Sequence, residues 1–196
     1  MFRKIVIPLD GSRLAEEALS RGAAIARASN AAVDLVLVRV PSPVGDWHSA
    51  AREQAERDAA HRYLERISQG LSDTGLAVTH CLRKGEPVHH ICDRAAAIQA
   101  DLIVLTSHGR TGFSRAWFGS VADGVMRHST TPVLVLRAGG PAEAKQLFKH
   151  VLVPVDGSST EVIPAAVALA KCTNARVTLL RVVQPIPQVF VEASVP

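Results

Sequence analysis

Between Leu102 and Ser120 the chain reads LIVLTSHGRTGFSRAWFGS, and the residue types and spacing here could hold an anion. Gly109, Gly112 and Gly119 fall within eleven residues, and Ser120 follows the last of them. Glycine lacks the Cβ that keeps a phosphate from the backbone, and it takes φ > 0 where a tight loop needs it. Val121, Ala122, Val125 and Ser129 then recur at helical spacing. Ser120 therefore stands in the first turn of a helix, where free N–H groups and the dipole favour negative charge. Asp10 is the second candidate. It ends an apolar run and could accept from an amino group or a ribose hydroxyl, or help hold Mg²⁺.

Each of these residues has a plainer use. The loop is not a Walker A sequence, because no Gly-Lys-Ser/Thr follows, and it is not GxGxxG. Three glycines serve an ordinary tight loop as readily as a phosphate cradle. Asp10 could simply cap a helix, Pro8 could terminate a strand, and Ser120 could be a helix-start hydroxyl. His108 reads as a loop hydrogen-bonding residue rather than a catalyst. Arg110 and Arg115 could neutralise phosphate, since no P-loop lysine does so, or could face solvent.

The elements that would position these residues are legible from periodicity. Leu102–Leu105 is an unbroken branched apolar run, the pattern of a strand buried on both faces. Lys4–Asp10, Val33–Val40, Val78–Arg83 and Pro132–Arg137 read as four further strands. A helix after Ser12, its N-cap, carries Leu14, Ala18, Gly22, Ile25 and Ala26 inward and stops at Asn30. A second runs over 47–71, with Ala51, Ala55, Ala59, Tyr63, Ile67 and Leu71 along one face and solvated ion pairs on the other. A third starts at Pro87, suited to the first helical position, and turns Val88, Ile91, Cys92 and Ala95 inward. A fourth runs from Ser120 to about Ser129.

Strands alternating with helices predict an α/β fold: a doubly wound, open parallel five-stranded sheet, order 3-2-1-4-5. That order sets strands 1 and 4 side by side at the topological switch, where ligands bind outside the C-terminal strand ends. Pro8-Leu9-Asp10 and the segment from Thr106 to Gly109 would meet there. Two segments far apart in sequence thus converge on one crevice.

Composition narrows the class. At 47% apolar and 20% charged the chain reads as ordinary globular protein, and 196 residues suffice for one domain and part of another. The net charge is +4, but the arginines are scattered, so no basic face for nucleic acid is expected. His89-His90 with Cys92 invites a metal reading, yet adjacent histidines diverge on a helix and no second ligand cluster accompanies them. Cys81, Cys92 and Cys172 show no CxxC spacing, which fits reduced thiols and a cytoplasmic chain. Asp10 comes too early for a signal peptide, and no apolar run reaches membrane-spanning length.

A second start follows. VLVPVDGS at Val151–Ser158 repeats IVIPLDGS at Ile5–Ser12 with an offset of 146. Ser158 and Glu161 have capping-box spacing, and Val177–Val183 echoes the second strand. The reading is one domain at 1–137, a linker at 138–148, and an incomplete second repeat (β-α-β) at 149–196. A unit of about 48 residues struggles to bury a core alone, so it should lean on the first domain or on another chain. It carries no glycine loop and cannot build a second site of the same kind.

Gly109, nine residues, then Gly119-Ser120 resembles the end of the universal stress protein nucleotide motif, Gly-x2-Gly-x9-Gly-Ser/Thr. SHGRTG and the downstream GSVAD…STTPVLVLR are similar to that family as well. The family's first glycine falls at Thr106, which cannot approach a phosphate as closely. The resemblance implies an adenine nucleotide, with ATP the usual ligand, AMP or ADP the alternatives, and Mg²⁺ a possible companion. It places Pro8, Leu9, Asp10 and Val40 on the adenine and ribose side. Gly109, Gly119 and Ser120 match the phosphate side, with His108, Arg110, Gly112 and Val121 as their neighbours and Thr106 as the altered position. It also implies a homodimer through the fifth strand, Pro132–Arg137, and a protein partner it does not name. Hydrolysis finds little support, because no general base and no paired carboxylates are evident. The family also contains members that bind no ATP, so a nucleotide-free interaction protein remains the alternative.

Overall fold

The chain alternates strand and helix: β1 (Lys4–Leu9), α1 (Arg13–Ser29), β2 (Ala32–Arg39), α2 (Ala50–Ser72), β3 (Val78–Lys84), α3 (Pro87–Ala97), β4 (Leu102–Ser107), α4 (Ser120–His128) and β5 (Val133–Arg137). Then come β6 (His150–Pro154), α5 (Val162–Thr173) and β7 (Arg176–Leu180). This computed structural model describes residues 1–41, 50–107, 119–137, 147–156 and 160–183. The first five strands form one parallel sheet in the order β3-β2-β1-β4-β5, as the alternation predicts.

The unbroken apolar runs are explained by two cores. Ile5, Ile7, Val33, Leu35 and Val104 face α1 and α2, against Ala18, Ile25 and Leu64. Val6, Val36, Ile103 and Leu105 face α3 and α4, against Ile91, Ala95, Ala122 and Val125. Side chains alternate along a strand, so a strand covered on both sides must be apolar at every position. Gly22 lets α1 close on β1, since a Cβ there would lie 2.6 Å from Ile7 Cδ1. No helix among the described residues is long and apolar enough to cross a membrane.

Local signals set the helix ends. Ser12 Oγ accepts from Ala15 N–H at 3.1 Å, and Asn30 closes α1 in the left-handed conformation with φ 55°, as read. Pro87 opens α3 behind Glu86, whose carboxylate accepts from Val88 N–H and His89 N–H at 3.1 and 2.7 Å. His89 pairs with Asp93 at 3.1 Å, while His90 Nε2 lies 3.1 Å from the Lys84 carbonyl oxygen.

Helix α2 departs from expectation in its first half. Ala51, Ala55 and Ala59 are exposed, and Leu64 and Ser68 take the buried positions beside Tyr63, Ile67 and Leu71. Length explains it. Twenty-three residues of helix span about 34 Å, whereas the seven-residue neighbour β3 spans about 23 Å. The first two turns therefore overhang the sheet. They are held by charge instead: Arg39 pairs with Glu56 at 2.5 Å, Arg52 with Glu56 at 3.2 Å, and Lys84 with Glu53.

The second unit repeats the first in detail. Lys4↔Ala32 and Pro8↔Val36 pair across β1 and β2; His150↔Arg176 and Pro154↔Leu180 pair across β6 and β7. Asn174 closes α5 in the left-handed conformation, as Asn30 closes α1. Of the expected capping box, Ser158 lies outside the described residues. Glu161 occupies the N-cap position without a side-chain cap bond, and α5 begins at Val162. Pro164 accounts for this: it lacks an N–H and is tolerated only in the first helical turn. Helix α5 packs on α1, and Leu147, Phe148, Leu169 and Cys172 join the core on that side.

Candidate functional site

The end of β1, the end of β4 and the start of α4 enclose a cavity of about 260 Å³. Pro8, Leu9 and Asp10 form one wall, Leu105 and Thr106 a second, and Gly119, Ser120 and Val121 a third. Val36, Val38 and Val40 of the β2 segment and Pro87 and Ile91 of α3 complete it. The interior is apolar toward β2 and α3. Its polar groups gather where β1, β4 and α4 meet, which suits a ligand with a flat apolar end and a polar end.

Asp10 turns one oxygen inward to the chain. Its Oδ1 accepts from Ser12 N–H at 2.9 Å, an Asx turn that leads into Gly11 at φ 83°. The helix cap itself is Ser12. The second oxygen of Asp10 has no partner among the described residues. Asp10 is also the only charged side chain among the described residues of the wall.

The start of α4 is open. Gly119 is its N-cap and offers no side chain to it. The first intrahelical bond runs from Asp123 N–H to the Gly119 carbonyl at 3.0 Å. The N–H groups of Ser120, Val121 and Ala122 therefore have no intrahelical partner. Three donors at a positive helix end, beside an exposed hydroxyl from Ser120, are what an anion requires.

Thr106 lies between these features, and its hydroxyl donates to the Leu14 carbonyl at 2.8 Å. Val121 is 36% exposed. It faces the crevice instead of joining Ala122 and Val125 in the core, so the apolar stripe read for this helix is narrower by one residue. Val40 is 66% exposed at the rim. Thus Pro8, Leu9, Asp10, Val40, Thr106, Gly119, Ser120 and Val121 are brought to one cavity. His108, Gly109, Arg110 and Gly112 lie outside the described residues.

Two features that hold the site are not evident from the motif. On β2, Asp34 is buried, and Arg94 of α3 donates to its two oxygens at 3.0 and 2.6 Å. Thr79 Oγ1 donates to the same carboxylate at 2.5 Å. The bond to Asp34 also raises the pKa of Arg94. This clasp fixes α3, and with it Pro87 and Ile91 in the cavity wall. The signal was a lone acid in the apolar run VDLVLV. The second feature is Gly124, where a Cβ would meet Val88 Cγ2 at 2.5 Å. Only glycine lets α4 approach α3 this closely.

The thiols lie elsewhere. Cys81, Cys92 and Cys172 are free and half-buried, and burial raises the pKa of each.

Comparison with known proteins is consistent across sequence and structure. The family described as "Universal stress protein family" matches residues 1–137. Universal stress protein MJ0531 of Methanocaldococcus jannaschii is 30% identical over 143 residues, covering 70% of this chain and 83% of that protein. A universal stress protein solved in complex with cAMP shares 25% identity at a TM-score of 0.52, over 69% of this chain and 96% of that one. A universal stress protein from Archaeoglobus fulgidus superposes on 92% of this chain at a TM-score of 0.75. It is 20% identical, and the match occupies 67% of its length.

Proposed function

The chain belongs to the universal stress protein family, and from that premise we propose that it is an adenine-nucleotide-binding regulatory protein with one site, the β1–β4 crevice. One observation carries the reading. The N–H groups at the start of α4 that have no intrahelical partner face the same cavity as the carboxylate oxygen of Asp10 that has no partner among the described residues, across an apolar wall. Adenine fits between Val38, Val40 and Ile91, the ribose hydroxyls fit Asp10, and phosphate fits Gly119 and Ser120. That a related protein was solved with cAMP supports the adenosine end of this assignment. ATP is the proposed ligand, with ADP or AMP as alternatives, and Mg²⁺ would be held by the phosphates and Asp10.

The reading is of binding rather than turnover. Asp10 is the lone carboxylate among the described residues of the wall, and a water-activating base needs a position beside the terminal phosphate. Binding would act through assembly. β5 is one of the two edge strands of the sheet among the described residues, and a homodimer through Val133–Arg137 would cover it. A cytoplasmic location and a tandem arrangement of two repeats belong to the same reading.

The test is to release small molecules from freshly purified protein and identify them by mass spectrometry. A melting series with ATP, ADP, AMP and cAMP, with and without Mg²⁺, accompanies it. A nucleotide near one per chain is expected. Ligand at a hundred times its Kd adds about 2.7 kcal/mol to the folded state. Nothing bound, together with no melting shift, would leave a nucleotide-free interaction protein. One observation favours that second reading: Thr106 brings a side chain to a cavity wall where glycine would leave room.

A further inference from the structure

A cavity of about 560 Å³ lies between α2 and β3, and it shares no lining residue with the β1–β4 crevice. Glu53, Arg57 and His61 form the α2 wall, and residues 80–84 form the β3 wall. The three α2 residues follow one another at four-residue steps, so they stack along one stripe of the helix. Lys84 pairs with Glu53. The two walls therefore run in opposite directions, and His61 and His80 stand at the far end. Arg39 of β2, in register with Lys84, completes the near end. The α2 stripe spans about 12 Å and the β3 stretch about 13 Å. The cavity is a trough and not a point site.

Charge in this trough is one-sided. Arg39, Arg57, Arg83 and Lys84 line it, and Glu53 is the single carboxylate among the described residues of the lining. That carboxylate is already committed, since Lys84 donates to it and holds its pKa below the ordinary 4.5. Arg39 is paired with Glu56 at 2.5 Å. Arg57 and Arg83 have no ion-pair partner among the described residues. Arg83 Nη1 donates only to the neighbouring Leu82 carbonyl, at 3.2 Å. Arginines that are scattered along the sequence are thus gathered by the pairing of β2 with β3 and the packing of α2. Their mutual repulsion is relieved by an anion between them.

We propose that the trough is a second binding site, for a free linear anion of two or more phosphoryl groups. Two guanidinium forks without carboxylate partners suit phosphoryl oxygens, and a phosphoryl group brings more charge and more acceptors than a carboxylate. The length of the trough sets the number, because one phosphate cannot reach from Lys84 at one end to His61 and His80 at the other. The ligand has no base to place. No Phe, Tyr or Trp stands among the described residues of the lining, whereas single-stranded nucleic acid needs aromatic faces on which to stack. This site stands apart from the nucleotide reading of the crevice, and neither depends on the other.

The test titrates the full chain with inorganic tripolyphosphate in low-salt buffer, read by calorimetry, with inorganic phosphate and citrate run beside it. Saturable one-to-one binding is expected, at least about tenfold tighter than either control anion. Arg57 and Arg83 are exposed, so replacing them leaves the fold intact. Arg57→Gln with Arg83→Gln should weaken binding at least about tenfold. Arg62→Gln with Lys171→Gln removes the same charge from exposed positions elsewhere and should leave it unchanged. Ser120→Asp, which sets a negative charge in the crevice, should leave it unchanged too. No saturable binding, or an equal loss in the Arg62 and Lys171 pair, overturns the proposal, because the attraction would then belong to net charge alone. A loss in Ser120→Asp overturns it by moving the anion to the crevice. A peptide of six glutamates that binds more tightly than tripolyphosphate also overturns it, since the trough would then take an acidic protein segment.

Discussion

The hydroxyl of Thr106, at the end of β4, donates to the main-chain carbonyl of Leu14, in the first turn of α1, at 2.8 Å. The two residues are 92 positions apart, and both line the cavity between β1 and β4. The bond ties the strand that leads into the glycine loop to the helix that follows Asp10. It also fixes the rotamer of Thr106, so its Cβ and methyl stand where a glycine would leave room. One residue thus supports the crevice and limits how closely a ligand approaches its back wall.

Thr106→Gly should separate these roles. Losing the bond costs about 1 kcal/mol, and glycine in a strand costs about 0.5–1 kcal/mol more. The melting temperature should fall, while affinity for ATP rises because the backbone is opened. Thr106→Val should lose the bond and keep the bulk, lowering stability without the gain in affinity. Calorimetry and titration calorimetry on both variants decide it. Equal ATP affinity in the two would remove Thr106 as a steric limit.

The clasp between Asp34 and Arg94 should be among the most sensitive points of the fold. Asp34 is 3% exposed, and Arg94 satisfies both of its oxygens. Arg94→Met leaves a buried carboxylate with only Thr79 as donor, which costs about 3–5 kcal/mol. The pair Asp34→Val with Arg94→Met should recover most of that loss, since apolar replacement of a buried ion pair is often near neutral. Urea unfolding of the single and double variants measures the coupling. A double variant no better than the single would place the stabilisation in packing and not in the pair.

Much of this architecture is legible in the sequence because its determinants are local or periodic. Ser12, Asn30 and Pro87 mark helix ends through their own backbone preferences. The double apolar coverage of β1 and β4 shows as unbroken runs, and the topological rule then names the crevice. What the sequence hides is set by three-dimensional length and reach. Ala51, Ala55 and Ala59 belong to an i, i+4 run that turns about 40° per step, which carries them off the face that buries Leu64 and Ser68. Asp34 finds Arg94 sixty residues away, and no spacing announces that pairing. Val121 has the period of a core residue and the position of a ligand-facing one. Glu161 has capping-box spacing, and it stands at the N-cap of α5, with Pro164 in the first turn.

Gly124→Ala tests how α4 is positioned. Alanine in place of glycine favours a helix by about 1 kcal/mol. Here the new Cβ would lie 2.5 Å from Val88 Cγ2 and 3.2 Å from Cγ1, and overpacking of that kind costs about 1–3 kcal/mol. Val88 is short and branched, so it cannot swing aside, and the steric cost should win. Nucleotide affinity should fall along with stability, because the start of α4 shifts away from Asp10. Adding Val88→Ala should restore both, as read by melting and by titration calorimetry. Failure of that rescue would show that another contact sets the helix spacing.

Glu86 should contribute to stability in a pH-dependent way. Its pKa lies below the ordinary 4.5, chiefly because His89 N–H and then Val88 N–H donate to its carboxylate. A depressed folded pKa means that the stabilisation is fully present above the unfolded value. It is lost as pH falls through the lower folded value. Glu86→Gln should therefore be less stable than the parent near pH 7 and converge with it in acid. Urea midpoints from pH 2 to pH 7 on both proteins read the difference. A constant gap across that range would mean the charge is not what stabilises the start of α3.

Asp10 is the residue on which the nucleotide reading can be broken most directly, provided its structural task is kept. Asp10→Ala would confuse the two, since it removes the Oδ1 that accepts from Ser12 N–H and loosens the turn into α1. Asp10→Asn keeps an acceptor for Ser12 and replaces the free carboxylate oxygen with an amide NH₂. That group can no longer accept from a ribose hydroxyl and no longer attracts Mg²⁺. Stability should change little, because the turn survives and Asp10 is exposed. Affinity for ATP should fall at least about tenfold, the loss of a hydrogen bond to a charged group being about 1.5–3 kcal/mol. The dependence on Mg²⁺ separates the two ways the oxygen could act. A loss that persists in chelator belongs to the ribose, whereas a loss seen only with Mg²⁺ belongs to the metal. An Asn variant that binds like the parent under both conditions would confine Asp10 to its turn, and the crevice would have to recognise its ligand through α4 alone.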